Sequence, residues 1–144
     1  YEIIPVATKR AIVKLDAKKE ASKLNRWQSI AEGAAKQSGR MLVPKISEVK
    51  TFGEALQMAQ ELDVNIIPYE CARGMDGTRE IFGSIKPGMS IGIFIGPEGG
   101  FEEAEVDKAK ELDIKPVTLG KRILRTETAG LTTLSILMYL LEES

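Results

Sequence analysis

Apolar positions along this chain alternate between two spacings, one that suits a strand and one that suits a helix. Glu2 to Ala7, EIIPVA, reads as a short strand, and Ala11 to Val13 is a second short apolar piece set among Lys9, Arg10 and Lys14. From about Lys18 to Ser38 the period lengthens, with Leu24, Trp27, Ile30, Ala31, Ala34 and Ala35 at helical spacing and Gly39 as the C-terminal stop. Trp27 lies in register with that stripe, which makes it a core or interface anchor rather than a platform for stacking bases. Pro44 to Val49 is weakly extended. Thr51 then caps a helix through Leu62, with Phe52, Ala55, Leu56 and Ala59 on one face. Val64 to Tyr69 is a strand, the ARGMDGTRE segment after Cys71 is loop-like, and a short helix lies near Thr78 to Ile85. After the strand at Ile91 to Ile95, Glu102 and Glu103 open a helix with Val106, Ala109 and Leu112 on one side. Lys115 to Leu119 is the last strand, Gly120 to Arg125 a basic loop, and Thr126 the cap of a final helix to about Glu142. Such alternation predicts an α/β fold with a mainly parallel sheet.

Two strand ends draw the chemistry. In SIGIFIGPEGGF, Ser90 to Phe101, Ile91, Ile93 and Ile95 alternate with Gly92 and Phe94, a run apolar enough for an interior strand. Gly96, Pro97, Gly99 and Gly100 stop it. Ligands in open α/β sheets collect at the carboxyl ends of strands, where glycine admits a ligand to the backbone; the plainer alternative is an ordinary strand-to-helix connection. The second stretch, VTLGKRILRTETA at Val117 to Ala129, repeats the plan with a basic loop between strand and helix. Neither has the spacing of GxxxxGK[ST] or GxGxxG, which disfavours a nucleoside triphosphate.

Composition narrows the classes. The 144 residues are 43% hydrophobic and 28% charged, which fits one globular domain with a workable core. The absence of histidine removes Ser/His/Asp and Cys/His catalysis and histidine-dependent zinc sites, so no metal centre is expected. Cys71, the one cysteine, has no intramolecular partner, and together with the absence of a visible signal or membrane span it points to a cytoplasmic protein. Charge is unevenly placed: positions 1 to 50 carry 11 Lys and Arg against 5 Asp and Glu, positions 51 to 144 carry 9 against 16. The basic excess is either a solvated face or a phosphate-contacting surface.

Taken together, FIGPEGGFEEAE and LGKRILRTETA resemble the two signature motifs of the SPOUT superfamily of methyltransferases. The similarity is specifically to the family that methylates N3 of a uridine, uracil 1498, in bacterial 16S ribosomal RNA. WQSIAEGAAKQSGR, positions 27 to 40, is similar to the segment before that family's third strand, so the resemblance covers the whole chain. It implies a SPOUT-type α/β trefoil knot, one catalytic domain over 1–144 and a homodimer in the cytoplasm. It also implies a pocket for S-adenosyl-L-methionine made by backbone groups of Ile95, Gly96 and Gly100 in one loop and Leu119, Gly120, Ile123 and Leu124 in the other. Leu119, Ile123 and Leu124 could equally be plain core. Family members carry a PUA-type RNA-binding barrel, then a first strand and helix, before the position matching Tyr1, so the resemblance implies a chain that starts inside the catalytic domain.

For the chemistry, methylation at N3 requires the uracil imide to lose its proton before the anion attacks a sulfonium methyl. A single donor aimed at the developing oxyanion is worth roughly 3 to 4 kcal/mol, about two to three pKa units. Arg125 is the first choice for that donor, with Glu127 to orient it or take the proton and Glu98 as the alternative base. Structural roles compete: Glu127 could complement a helix dipole and Glu98 could hold the knot together. Gln37 and Arg40, with the basic face of Lys19, Lys23 and Arg26, are candidates for contact with 16S rRNA of the small subunit; no DNA or membrane partner is expected. The competing readings are a non-catalytic fragment that binds RNA or dimerises, and a ribose 2′-O methyltransferase on the same fold.

Overall fold

The computed structural model describes residues 1–11, 16–70 and 74–142; residues 12–15, 71–73 and 143–144 lie outside the described residues, among them the expected apolar piece at Ile12 and Val13, and Lys14 and Cys71. The chain divides into two compact units, one made of Tyr1–Ala7 and Ala11–Ala55, the other of Thr8–Arg10 and Leu56–Ser144.

In the first unit, β1 (Glu2–Ile3) pairs in parallel with β3 (Lys45–Ile46), and β2 (Val6–Ala7) in parallel with β4 (Lys50–Thr51). The single strand expected over Glu2 to Ala7 is thus two short ones. Pro5 has no N–H to give a ladder, and its carbonyl accepts the Lys50 N–H at 2.9 Å. Helix α1 (Ala17–Ser38) matches its expected span within a residue. Asp16 caps it by accepting the Lys19 N–H at 2.9 Å, and beyond its end the Arg40 N–H bonds the Ala35 carbonyl at 3.0 Å. Ala31 and Ala35 are buried and Leu24 and Trp27 half-buried, whereas Ile30 and Ala34, expected on the same stripe, face solvent. The Gln28 side chain ties the helix to β3 by donating to the Pro44 carbonyl and accepting the Ile46 N–H at 2.9 Å.

Helix α2 (Phe52–Ala59) has the expected capping residue, with the Glu54 N–H donating to Thr51 Oγ1 while Glu54 Oε2 accepts the Thr51 N–H at 2.7 Å. Phe52, Ala55, Leu56 and Ala59 are all buried, as their spacing predicts. The helix ends three residues before Leu62, because the next three N–H groups bond three residues back and tighten the chain into a turn.

The second unit holds β5 (Val64–Pro68), α3 (Met75–Ser84), β6 (Ile91–Ile93), α4 (Glu103–Glu111), β7 (Ile114–Val117) and α5 (Thr126–Leu141). Its sheet is parallel in the order β6-β5-β7. Every strand pair in both units is parallel among the described residues, as the alternating pattern predicts. Strand β5 lies between the other two, and its consecutive Asn65, Ile66 and Ile67 are buried on both faces. Among the described residues the strand at Ile91 pairs with β5. Helix α3 begins at Met75, so part of the segment expected as loop is helical; Gly77 disguises the pattern, and Thr78 sits on the buried side. Ile66, Phe82, Ile85, Val117 and Leu137 form a core that joins β5, β7, α3 and α5.

Two features fix the register. Ser90 donates from its N–H and its hydroxyl to the Asp63 carboxylate at 2.8 and 2.7 Å, linking the amino ends of β5 and β6. Gly92 lies directly across from Asn65, and a Cβ there would come within 2.0 Å of Asn65 Oδ1. The Asn65 amide cannot easily turn away, because its Nδ2 donates to the Ala59 carbonyl at 2.6 Å.

Candidate functional site

Because β6 and β7 flank β5 and run in the same direction, the segments that follow them leave the sheet at the same end. These are the two glycine loops of the sequence, 94–102 and 118–125. After β6, the Gly100 N–H closes a turn on the Pro97 carbonyl at 2.8 Å, and Gly100 takes φ 71°, in the left-handed region. Gly96 is pressed against Phe101, whose ring would lie 3.0 Å from a Cβ at 96. Phe101 is buried, so the loop is wrapped around its own aromatic residue. Glu105 then fixes the start of α4, its Oε2 accepting the Glu102 N–H at 2.9 Å.

The second loop is held from α3. Thr78 Oγ1 accepts the Thr118 N–H at 3.0 Å, and the Thr118 hydroxyl bonds the carbonyl and N–H of Gly120 at 3.1 and 3.3 Å. Gly120 has φ 120°, which a residue with a Cβ rarely adopts. The loop ends at Arg125, the N-cap position of α5, whose carbonyl accepts the Ala129 N–H at 2.8 Å. The expected cap, Thr126, is therefore the first helical residue: Arg125 keeps extended φ and ψ and already supplies the carbonyl. Helix α5 passes close to the first loop at Gly130, where a Cβ would meet Ile95 Cγ1 at 3.8 Å.

The expected pocket residues all lie in these two loops, with Ile95, Gly96, Gly100, Leu119, Gly120 and Leu124 half-buried. Ile123 is 78% exposed and so is not core. The N–H groups of Ile95, Gly96, Leu119, Ile123 and Leu124 make no hydrogen bond with another described residue. Open space lies where a Cβ would stand on Gly100 and on Gly120. Uncommitted backbone donors, apolar side chains and clear approach at two glycines suit a flat heterocycle recognised by the backbone.

Arg125, Glu127 and Glu98 are exposed, and their side chains form no ion pair or hydrogen bond with a described residue, including with one another. Of the expected RNA-contacting residues, Lys19, Arg26 and Gln37 on α1 and Arg40 just beyond it are exposed, Lys23 is half-buried, and Lys19 pairs with Asp16 at 3.8 Å. On a helix of 3.6 residues per turn Lys19, Lys23, Arg26 and Gln37 fall on one stripe, which also carries the exposed Ile30. No group of three or more potential metal ligands occurs among the described residues.

Sequence reasoning missed the residues that shape the loops: Thr78, Thr118, Glu105, and Lys9 and Arg10. The hydroxyls carry no motif, and the two cations read as part of a general basic excess. Arg10 Nη1 donates to the Gly99 carbonyl at 2.7 Å, and the Lys9 N–H reaches Glu105 Oε1 at 3.3 Å.

Comparison with known proteins bears on the family and the fold. The profile of the RNA methyltransferase domain family matches residues 1–138. Ribosomal RNA small subunit methyltransferase E of Bacillus subtilis is 42% identical over 142 residues, covering 96% of this chain and 56% of the relative. The protein of the same name from Mesomycoplasma hyopneumoniae is 38% identical over 134 residues, 93% of this chain and 56% of that one. Among solved structures, a ribosomal RNA small subunit methyltransferase E from Neisseria gonorrhoeae bound to S-adenosyl methionine superposes with a TM-score of 0.80 at 37% identity, over 97% of this chain and 55% of the other. The chain thus spans little more than half the length of these relatives. With the parallel α/β sheet, the two glycine loops and a sequence match along nearly its whole length, the chain belongs to the RNA methyltransferase domain family, alongside the ribosomal RNA small subunit methyltransferases E.

Proposed function

We propose that this chain carries the cofactor-binding and methyl-transferring part of an S-adenosyl-L-methionine-dependent enzyme that methylates N3 of a uridine, uracil 1498, in 16S rRNA of the small ribosomal subunit. The observation that carries the reading is the pair of glycine loops at one end of the sheet, in which the N–H groups of Ile95, Gly96, Leu119, Ile123 and Leu124 bond no described residue and open space lies where a Cβ would stand on Gly100 and on Gly120. Relatives bearing the name ribosomal RNA small subunit methyltransferase E, one with S-adenosyl methionine bound, support it.

The residues that would hold the cofactor are Ile95, Gly96 and Gly100 in one loop and Leu119, Gly120, Ile123 and Leu124 in the other, through backbone groups and apolar side chains. The bound cofactor supplies an electrophilic methyl group on a sulfonium. Everything else falls to the chain. Arg125 donates to a uracil carbonyl oxygen as the N3 proton leaves, so that its charge stabilises the anion more than the neutral base. Glu127 or Glu98 receives the proton. Lys19, Lys23, Arg26, Gln37 and Arg40 contact the RNA backbone, where cations contribute affinity without sequence information. We further assign the exposed apolar face of α5 to a second copy of the chain, making a homodimer, and a knotted passage of the last strand and helix to the region of the two loops. The workplace of such an enzyme is the cytoplasm, where ribosomal subunits are assembled; no helix among the described residues is long and apolar enough to cross a membrane.

Calorimetry with S-adenosylmethionine, followed by transfer of labelled methyl to purified small subunits and mapping of the methylated atom, tests the reading. Gly120→Val forces a β-branched residue into a conformation with φ 120°, reshaping the second loop, and should abolish cofactor binding. Unchanged affinity in that variant overturns the pocket. Methyl found on a ribose oxygen overturns the target atom.

A further inference from the structure

The turn at Pro97 to Gly100 is held from outside by a dipeptide distant in sequence. Arg10 Nη1 donates to the Gly99 carbonyl at 2.7 Å, and the stem of Arg10 lies along the same residue, since a Cβ at Gly99 would stand 3.5 Å from Arg10 Cδ and 3.6 Å from its Cβ. Lys9 grips the far side of the turn. Its N–H reaches Glu105 Oε1 at 3.3 Å and its Nζ pairs with Glu102 Oε2 at 3.3 Å, while Glu105 Oε2 takes the Glu102 N–H. Glu105 is buried, so the carboxylate that starts α4 is also the one that anchors Lys9. Thr8–Arg10 accordingly groups with the second unit, although the residues on both sides of it belong to the first.

We propose that Arg10 is a positioning residue for the cofactor site, holding the Pro97–Gly100 turn in the shape that presents the backbone of Ile95, Gly96 and Gly100 to the ligand. This inference rests on the cofactor reading given above. The Gly99 carbonyl and the Gly100 N–H belong to one trans peptide and point opposite ways, so a carbonyl held toward Arg10 keeps the Gly100 N–H on the Pro97 carbonyl, and Gly100 is the residue of this loop that takes a left-handed conformation. The hydrogen bond comes from a charged group but lies at the surface, so its influence is that of one exposed charge-assisted bond. Lys9 assists by fixing the other end of the segment on α4.

The test uses two substitutions that separate the bond from the bulk. Arg10→Met keeps an apolar stem over Gly99 and removes the donors; Arg10→Gln keeps a neutral donor. Calorimetry with S-adenosylmethionine, without RNA, should show affinity reduced roughly tenfold in Arg10→Met and largely recovered in Arg10→Gln. Thermal midpoints of both variants should match the unaltered chain, and amide hydrogen exchange at Gly100 should quicken in Arg10→Met alone. Unaltered affinity in Arg10→Met overturns the proposal, as does a loss of affinity that tracks a fall in thermal midpoint. If the unaltered chain binds no S-adenosylmethionine, the cofactor reading fails, and exchange at Gly100 then decides on the clasp by itself: faster exchange in Arg10→Met upholds it, and equal exchange refutes it.

Discussion

Gly92, and Arg125 in the proposed mechanism, are required in two different ways. Arg125 closes the second glycine loop and starts α5, yet its exposed guanidinium bonds no described residue, so removing it breaks no hydrogen bond or ion pair among them. Arg125→Ala should therefore lower kcat about a hundred-fold while leaving S-adenosylmethionine affinity nearly intact, the signature of a contact made only as charge develops. Single-turnover rates at saturating RNA check this, and a loss that saturation restores would assign Arg125 to RNA binding instead. Gly92 does the opposite. It touches no ligand in the proposed mechanism, but a methyl group there would be driven into Asn65 Oδ1 and would also lie 3.0 Å from Leu62 Cδ1. Gly92→Ala should destabilise the fold by roughly 1 to 3 kcal/mol, the usual range for overpacking, as read from urea midpoints. The role of Arg125 is an expectation from the sequence, but the contact at Gly92 is not visible in the letters alone: glycine inside an apolar run looks like a small strand residue until its cross-strand neighbour is known.

At the scale of elements, the parts of the fold that rest on local chemistry were legible. The Thr51 cap with Glu54 three residues on, the stop after Ser38 and the four-residue face of α2 all follow from spacing and capping rules that act within a few residues. What escaped depends on distant pairing. Which strands pair depends on hydrogen bonds between segments far apart, so the order β6-β5-β7 left no mark in the hydropathy of any one strand. In the candidate site the two glycine loops were legible from their composition, whereas Thr78, Thr118 and Arg10 act across 40 or more residues and left no pattern. Two contacts, one between β5 and β6 and one at the start of α2, carry a pH dependence. The Ser90 N–H and hydroxyl hold the Asp63 carboxyl below its ordinary value, and the Thr51 N–H and hydroxyl do the same for Glu54. A depressed carboxyl contributes stability that is fully present above its unfolded pKa and is lost as pH falls through the folded one. Urea midpoints should thus be level from neutrality down to the ordinary carboxylate range and decline below it, and Asp63→Asn should make that decline shallower. A decline equally steep in Asp63→Asn would remove Asp63 from the account.

For the whole molecule, the apolar surface of α5 is the main unmet demand. Leu131, Leu134, Met138, Tyr139 and Leu140 are between 48% and 88% exposed, beside a shallow groove that also includes Thr132, Ser135 and Ile136. Only Thr133 and Leu137 of this helix are buried. An exposed apolar surface of this kind calls for a partner, and a second copy offers the same surface in return. Light scattering at micromolar concentration should give twice the chain mass, and Leu134→Glu should halve it; a single-chain mass for the unaltered protein would end the assignment. The close approach of Gly92 to Asn65 also bears on how this protein could be diversified in the laboratory. In a library that randomises single codons and selects only for folded protein, position 92 should be depleted of every substitution, with no methylation assay applied. Gly33 of α1, where a Cβ would meet nothing within 4 Å, should be enriched for alanine. Reading out folding before activity would then separate positions that hold the sheet together from those, such as Arg125 in the proposed mechanism, whose loss should be felt only when a methyl group is moved.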